Sequence, residues 1–156
     1  MKILALDPAT HCGWAYSMDG VGASGTWDLS VRRDESSGMR LVRLVGKLNG
    51  LHESATGPLD LLVFEAARHA GPKMQGALVV QAEIQGVIKQ WCESKRIQYR
   101  GYSPSEIKKH ATGKGNANKE KMMEAARANW PDRAIGDDNE ADALWILDFA
   151  QKEVGL

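Results

Sequence analysis

Residues 57–67 read GPLDLLVFEAA, and this stretch decides the class of fold. Leu61 to Phe64 form an unbroken apolar run of strand length, preceded by a Gly-Pro turn signal and followed by Glu65. A surface strand alternates apolar with polar residues. A continuous run predicts a strand covered on both faces, as in a sheet with helices on either side. Glu65 then stands where the buried strand leaves the core.

The N-terminal side repeats this design. Lys2 to Asp7 is a second short apolar run ending in an acid, followed by Pro8. Residues 9–29, ATHCGWAYSMDGVGASGTWDL, place Trp14, Tyr16 and Thr26 in short segments separated by glycine, which predicts three strands joined by two hairpins. A loop of Arg, Asp and Ser over residues 32–38 leads to Leu41, Leu44, Val45, Leu48 and Leu51, spaced as one face of a helix. On the C-terminal side, after a turn around Gly71 and Pro72, residues Ala77, Val80, Ile84, Val87, Ile88 and Trp91 mark a long amphipathic helix whose wide apolar stripe is a candidate for self-association. RIQYRGY (96–102) supplies a fifth strand, and Ser103-Pro104 reads as the N-cap and first residue of a short helix through His110. The loop TGKGNA (112–117), a helix from about Asn118 to Asn129 and a last helix from about Asp138 to Val154 complete the chain. Hairpin strands followed by alternating strands and helices predict an α/β domain of three layers, with a mixed five-stranded sheet flanked by helices.

At 156 residues, without repeat, low-complexity tract or linker, the chain is expected to form one domain over 1–156. No apolar run approaches the ~20 residues needed to span a bilayer. The opening residues also reach Asp7 too soon for a secretory signal, so a soluble cytoplasmic protein is expected. Cys12 and Cys92 lack CxxC spacing and read as small core residues. Net charge is zero, which argues against coating DNA by bulk electrostatics, but the charges are segregated. Lys108, Lys109, His110, Lys114, Lys119 and Lys121 are followed closely by Asp132, Asp137, Asp138, Glu140 and Asp142.

If the first and fourth strands are neighbours, Asp7 and Glu65 arrive at one edge of the sheet. The last helix adds Asp142. Asp138 and Asn139 share its face, whereas Glu140 is turned roughly 200° away from Asp138. Such an oxygen-rich set suits Mg2+ or Mn2+, and two ions about 4 Å apart could drive an in-line displacement at phosphorus. The same acids also suit a plainer use, because Asp137, Asp138 and Glu140 favour the positive end of a helix dipole. Asp142 is harder to explain that way, since Ala141 and ALWIL (143–147) flank it with apolar residues.

ALDPATHCGWA (5–15), LLVFEAA (61–67), SPSEIKKHATGKGNANKEKM (103–122) and DDNEADALWIL (137–147), in this order, resemble the RuvC-type Holliday junction resolvases, especially the short stand-alone resolvases of phages and prophages. The resemblance covers nearly the whole chain. It implies a ribonuclease H-like fold, a homodimer, two Mg2+ or Mn2+ ions per site, and paired nicks across a four-way DNA junction. It assigns Asp7, Glu65 and Asp142 as catalytic acids and metal ligands. The position commonly Asp or His in the family is Asn139 here, and Asp138 is the preferred substitute. Lys108 and Lys119 match the family's functional lysines, with Lys119 placed to stabilise the transferring phosphate and Lys114 as a further DNA contact. Lys109 and Lys121 read as solvated. Where the family carries an aromatic residue beyond the second acid, EAARHAGPKM (65–74) offers Arg68 and His69, as stacking or phosphate-holding groups or as plain surface residues.

TGKGN lacks the Walker spacing, so no nucleotide cofactor is expected. His110 reads as structural, Trp91 and Trp145 as core, and Trp14 and Trp27 as packed within the hairpin sheet. Three other classes compete. A related nuclease could act more broadly on forks, flaps or RNA-containing hybrids through the same acids. A junction-binding protein could have lost catalysis, with Asn139 as the hint. An actin-like ATPase fragment also opens on an acid after its first strand, but this chain is too short for paired domains.

Overall fold

The computed structural model describes residues 1–18, 21–54, 57–66 and 75–156. The elements run β1 (Lys2–Asp7), β2 (His11–Met18), β3 (Val21–Asp28), α1 (Gly38–His52), β4 (Leu61–Glu65), α2 (Gln75–Lys95), β5 (Gln98–Tyr102), α3 (Pro104–Thr112), α4 (Lys119–Asn129) and α5 (Asp138–Glu153). The five strands form one sheet in the order β3-β2-β1-β4-β5. β1 pairs antiparallel with β2 and parallel with β4, and β4 pairs parallel with β5. β1 and β4 are therefore neighbours, as the placement of the two acids requires.

Alternation along the strands builds two cores. Ile3, Ala5, Ala15, Leu61 and Val63 face Ala141, Leu144, Trp145 and Ile146 of α5, with Ile107 of α3 and Met122 of α4 closing the layer. Leu4, Leu6, Cys12, Tyr16, Leu62 and Phe64 face Leu44 and Leu48 of α1 and Ile84, Ile88 and Trp91 of α2. These are the three expected layers, and β4 is buried on both sides. Each fully buried Leu or Ile contributes roughly 1.5–3 kcal/mol relative to exposure.

The local signals fall where the residue types direct. Ser103 caps α3 in a reciprocal capping box with Glu106, Pro104 opens the helix, and Gly113 closes it at φ 84°. His110 is structural, sharing a 2.7 Å hydrogen bond with Asp148 and packing edge-on against Trp145. Trp14 and Trp27 stack with ring centres 5.7 Å apart. Cys12 and Cys92 are both buried, and no disulfide joins them.

In α2 the expected stripe holds from Val80 onward, but Ala77 is exposed. The turn around Gly71 and Pro72 lies outside the described residues. Among the described residues no helix is long and apolar enough to cross a membrane.

Candidate active site

Strand parity brings the first two acids together. Ile3 pairs with Leu61 and Ala5 with Val63, all on the α5 side of the sheet. One step further along both parallel strands, the same parity sets Asp7 and Glu65 side by side on that face. Asp7 is buried, at 8% exposure, while Glu65 is half-buried at the strand mouth. Gln85 reaches from α2 to donate from Nε2 to the Glu65 backbone carbonyl at 3.5 Å, so both helical layers touch the end of β4.

α5 supplies the other two acids. Its N-cap is Asp137, whose Oδ1 accepts from the Glu140 amide at 2.8 Å and from the Thr26 hydroxyl of β3 at 2.7 Å. Asp138 and Asp142 lie one turn apart, each half-buried. The helix approaches β2 so closely that a side chain at Gly13 would overlap the Asn139 backbone carbonyl. Glycine there sets how deeply Asp142 enters the site.

The lysines come from the helices beside α5. Lys108 is half-buried on α3. Lys119 is the first residue of α4 after the Asn118 cap, with Nζ 3.5 Å from Asp138 Oδ2. A cation at a helix N-terminus opposes the helix dipole by roughly 0.3–1 kcal/mol. Its pair with Asp138 is too exposed, at 86% for the lysine side chain, to contribute much stability. Local folding energy does not account for a lysine at this position; the neighbouring acids do. Lys114 is exposed on the α3–α4 loop, its amide donating to the Thr112 hydroxyl at 3.2 Å. Lys109 and Lys121 are exposed, as expected.

The electrostatics register the convergence. Burial pushes the Asp7 carboxyl well above the ordinary carboxylate range, and Asp142, Glu65 and Asp138 push the same way while Lys119 opposes them. Burial, then Glu65 and Asp138, raise Asp142 to about 7 against the pull of Lys119 and Lys108. Glu65 of β4, Asp138 of α5 and the lysines of α3 and α4 thus all act on Asp7 or Asp142, in a single cluster.

The donor set fits a hard divalent cation: four carboxylates, no thiolate and no imidazole. Among the described residues, however, no three His, Cys, Asp or Glu side chains are already closed into a cage. Like charges held near one another spread apart unless a cation neutralises them. Asp138 is among the groups acting on both Asp7 and Asp142. Asn139 meets Gly13 through its backbone. Arg68 and His69 lie outside the described residues.

Sequence reasoning missed the residues that fix α5. Gly13 carried a signal, since an isolated glycine inside a strand pattern marks close backbone approach. Glu140 faces away from Asp138 as its spacing indicated, but its side-chain partners had no signal. They are the Ser24 hydroxyl at 2.7 Å and, through Ser24, the Arg133 guanidinium at 2.9 Å.

No protein-family model matches the chain. In sequence it is similar to the crossover junction endodeoxyribonuclease RuvC of Brachyspira hyodysenteriae, at 40% identity over 65 residues. Those residues span 42% of this chain and 40% of that protein's length. In structure it is similar to Thermus thermophilus RuvC, with a TM-score of 0.73 at 18% identity, covering 99% of this chain and 97% of the other. The same protein in complex with a Holliday junction substrate gives a TM-score of 0.72 at 16% identity, covering 98% and 96%. The chain has the ribonuclease H-like fold of RuvC along nearly all its length.

Proposed function

We propose that this chain, with the fold of RuvC and a stretch of RuvC-like sequence, is a divalent-metal-dependent endodeoxyribonuclease that resolves four-way DNA junctions. The observation that carries the reading is the convergence of four acids at one sheet edge, where burial, Glu65 and Asp138 push up the carboxyls of Asp7 and Asp142 and Lys119 pulls against them. Carboxylates crowded in this way repel one another, and a divalent cation relieves the repulsion.

In this reading Asp7, Glu65, Asp138 and Asp142 hold two Mg2+ or Mn2+ ions, with Asn139 beside them as a neutral oxygen donor. Bound there, the ions would activate a water and steady the leaving oxygen of an in-line displacement at phosphorus. Lys119 neutralises charge building on the transferring phosphate, and Lys108 holds the approach from α3. Lys114, Arg68 and His69 contact the DNA backbone or bases further from the cut. Neutral net charge confines this attraction to the lysine-bearing face, which suits recognition of a shaped substrate over indiscriminate coating. The protein works as a homodimer in the cytoplasm, one site cutting each of two strands.

The test is a nicking assay on a synthetic four-way junction, a fork, an RNA–DNA hybrid and a linear duplex, each with Mg2+, Mn2+ or chelator. Paired nicks near the junction centre, dependent on metal and at least tenfold faster than on the duplex, are expected. Equal cutting of forks or hybrids would replace the assignment with a broader nuclease. Tight junction binding without cutting in either metal would make it a binding protein.

A further inference from the structure

We infer that Glu140, Ser24 and Arg133 form a clamp that positions the α5 carboxylates for metal. The inference rests on the nuclease reading and concerns residues outside the ligand set. Glu140 is buried, at 8% exposure, in the first turn of α5. Both of its carboxylate oxygens are engaged away from the site. One accepts from the Ser24 hydroxyl at 2.7 Å, and the other from the Gly136 amide at 2.8 Å. Arg133 donates from one nitrogen to Ser24 Oγ at 2.9 Å and from the other to the Gly22 carbonyl at 3.0 Å. Glu140 and Arg133 are thus joined through one hydroxyl, and Glu140 also holds the Gly136 amide while Arg133 holds the edge strand at Gly22.

Geometry gives this arrangement its role. Ser24 pairs with Ala15 and Thr26 with Gly13, so both hydroxyls stand on the face of the sheet that α5 covers. The clamp therefore grips the first turn of α5 from the β3 side, while Asp138 and Asp142 project toward Asp7 and Glu65 on the other. The four acids repel one another in the empty protein and tend to lift that turn from the sheet. Gly13 lets the helix come close, and the hydrogen bonds to β3 resist its leaving. Glu140 is a positioning residue: its oxygens are already engaged on the β3 side, and its effect reaches the metal through the placement of Asp138 and Asp142. Residues that orient metal ligands in this indirect way are worth about 10–100-fold in metal affinity or activity.

The experiment measures Mn2+ affinity of DNA-free protein by calorimetry, junction binding in chelator, and kcat and KM for junction nicking. Glu140→Ala is expected to weaken Mn2+ binding at least about tenfold and lower kcat, with junction binding unchanged within twofold. Ser24→Ala, which removes a single hydroxyl, should weaken Mn2+ binding several-fold in the same direction and serves if Glu140→Ala fails to fold. Glu140→Gln keeps an oxygen to accept from the Gly136 amide and turns the Ser24 bond round, its Nε2 donating to the hydroxyl oxygen, and should restore most of the affinity. Unchanged Mn2+ affinity in both alanine variants, with only the melting temperature lowered, would overturn the inference. So would a Glu140→Gln variant as impaired as Glu140→Ala, since charge and not the clamp would then be what matters. Wild-type protein that neither binds Mn2+ nor nicks any substrate would sink the nuclease reading instead.

Discussion

Gly13 of β2 lies directly beneath Asn139 of α5, with no room between them for a methyl group. The contact joins the sheet to the helix that carries two of the four acids, within one turn of both. Gly13→Ala must push α5 outward or distort β2. We expect a loss of about 1–3 kcal/mol in stability, of the size seen on overpacking, measured by urea unfolding. Metal affinity should fall with it. A variant as stable as wild type would show that the helix can shift freely.

Asp7→Asn and Glu65→Gln should each reduce junction nicking by roughly a thousandfold while leaving junction binding in chelator within about threefold, if the carboxylates hold metal and the lysines hold phosphate as proposed. Gel-shift and single-turnover nicking on the same preparations check this. Nicking that survives in either variant removes that residue from the site.

Asp138 and Asn139 are the two candidates for the fourth ligand of the proposed metal site. Asp138 perturbs both Asp7 and Asp142 and pairs with Lys119, whereas Asn139 meets Gly13 through its backbone. Asp138→Asn should therefore impair nicking at least about tenfold more than Asn139→Ala. The reverse order, measured at saturating Mn2+, would assign the ligand to Asn139.

Lys119→Ala should lower kcat about a hundredfold and change KM by less than threefold, if the ammonium meets charge that develops only in the transition state. An equal rise in KM with kcat preserved would make Lys119 an ordinary phosphate contact.

If Asp142 is a metal ligand, metal and protons compete for it, since burial, Glu65 and Asp138 raise its carboxyl to about 7. A carboxyl whose folded pKa is raised binds a proton in the native state that the unfolded chain has already lost. Metal-free stability should therefore fall as pH rises from about 4 toward 7. Asp7 acts in the same direction. Saturating Mg2+ should reverse the trend at pH 8, and nicking should rise through pH 7. Melting curves with and without metal at pH 5, 7 and 8 test the sign, and a metal-free melting temperature that climbs over this range would contradict it.

The chain's local pattern determined a great deal by itself. The apolar run Leu61–Phe64 required a strand covered on both faces, Ser103-Pro104 with Glu106 required a helix start, and the acids after β1 and β4 marked the working edge of the sheet. These signals are legible because they act within a few residues: pleat, helical turn and cap geometry are written in adjacent side chains. Tertiary structure decided that β1 lies beside β4, that α5 rests on Gly13, and that Glu140 and Asp137 spend their oxygens on Ser24 and Thr26, 116 and 111 residues away. Any buried carboxylate will accept from any hydroxyl within reach, so such pairings carry no sequence signature. Only the folded sheet, by fixing which hydroxyls face α5, selects them.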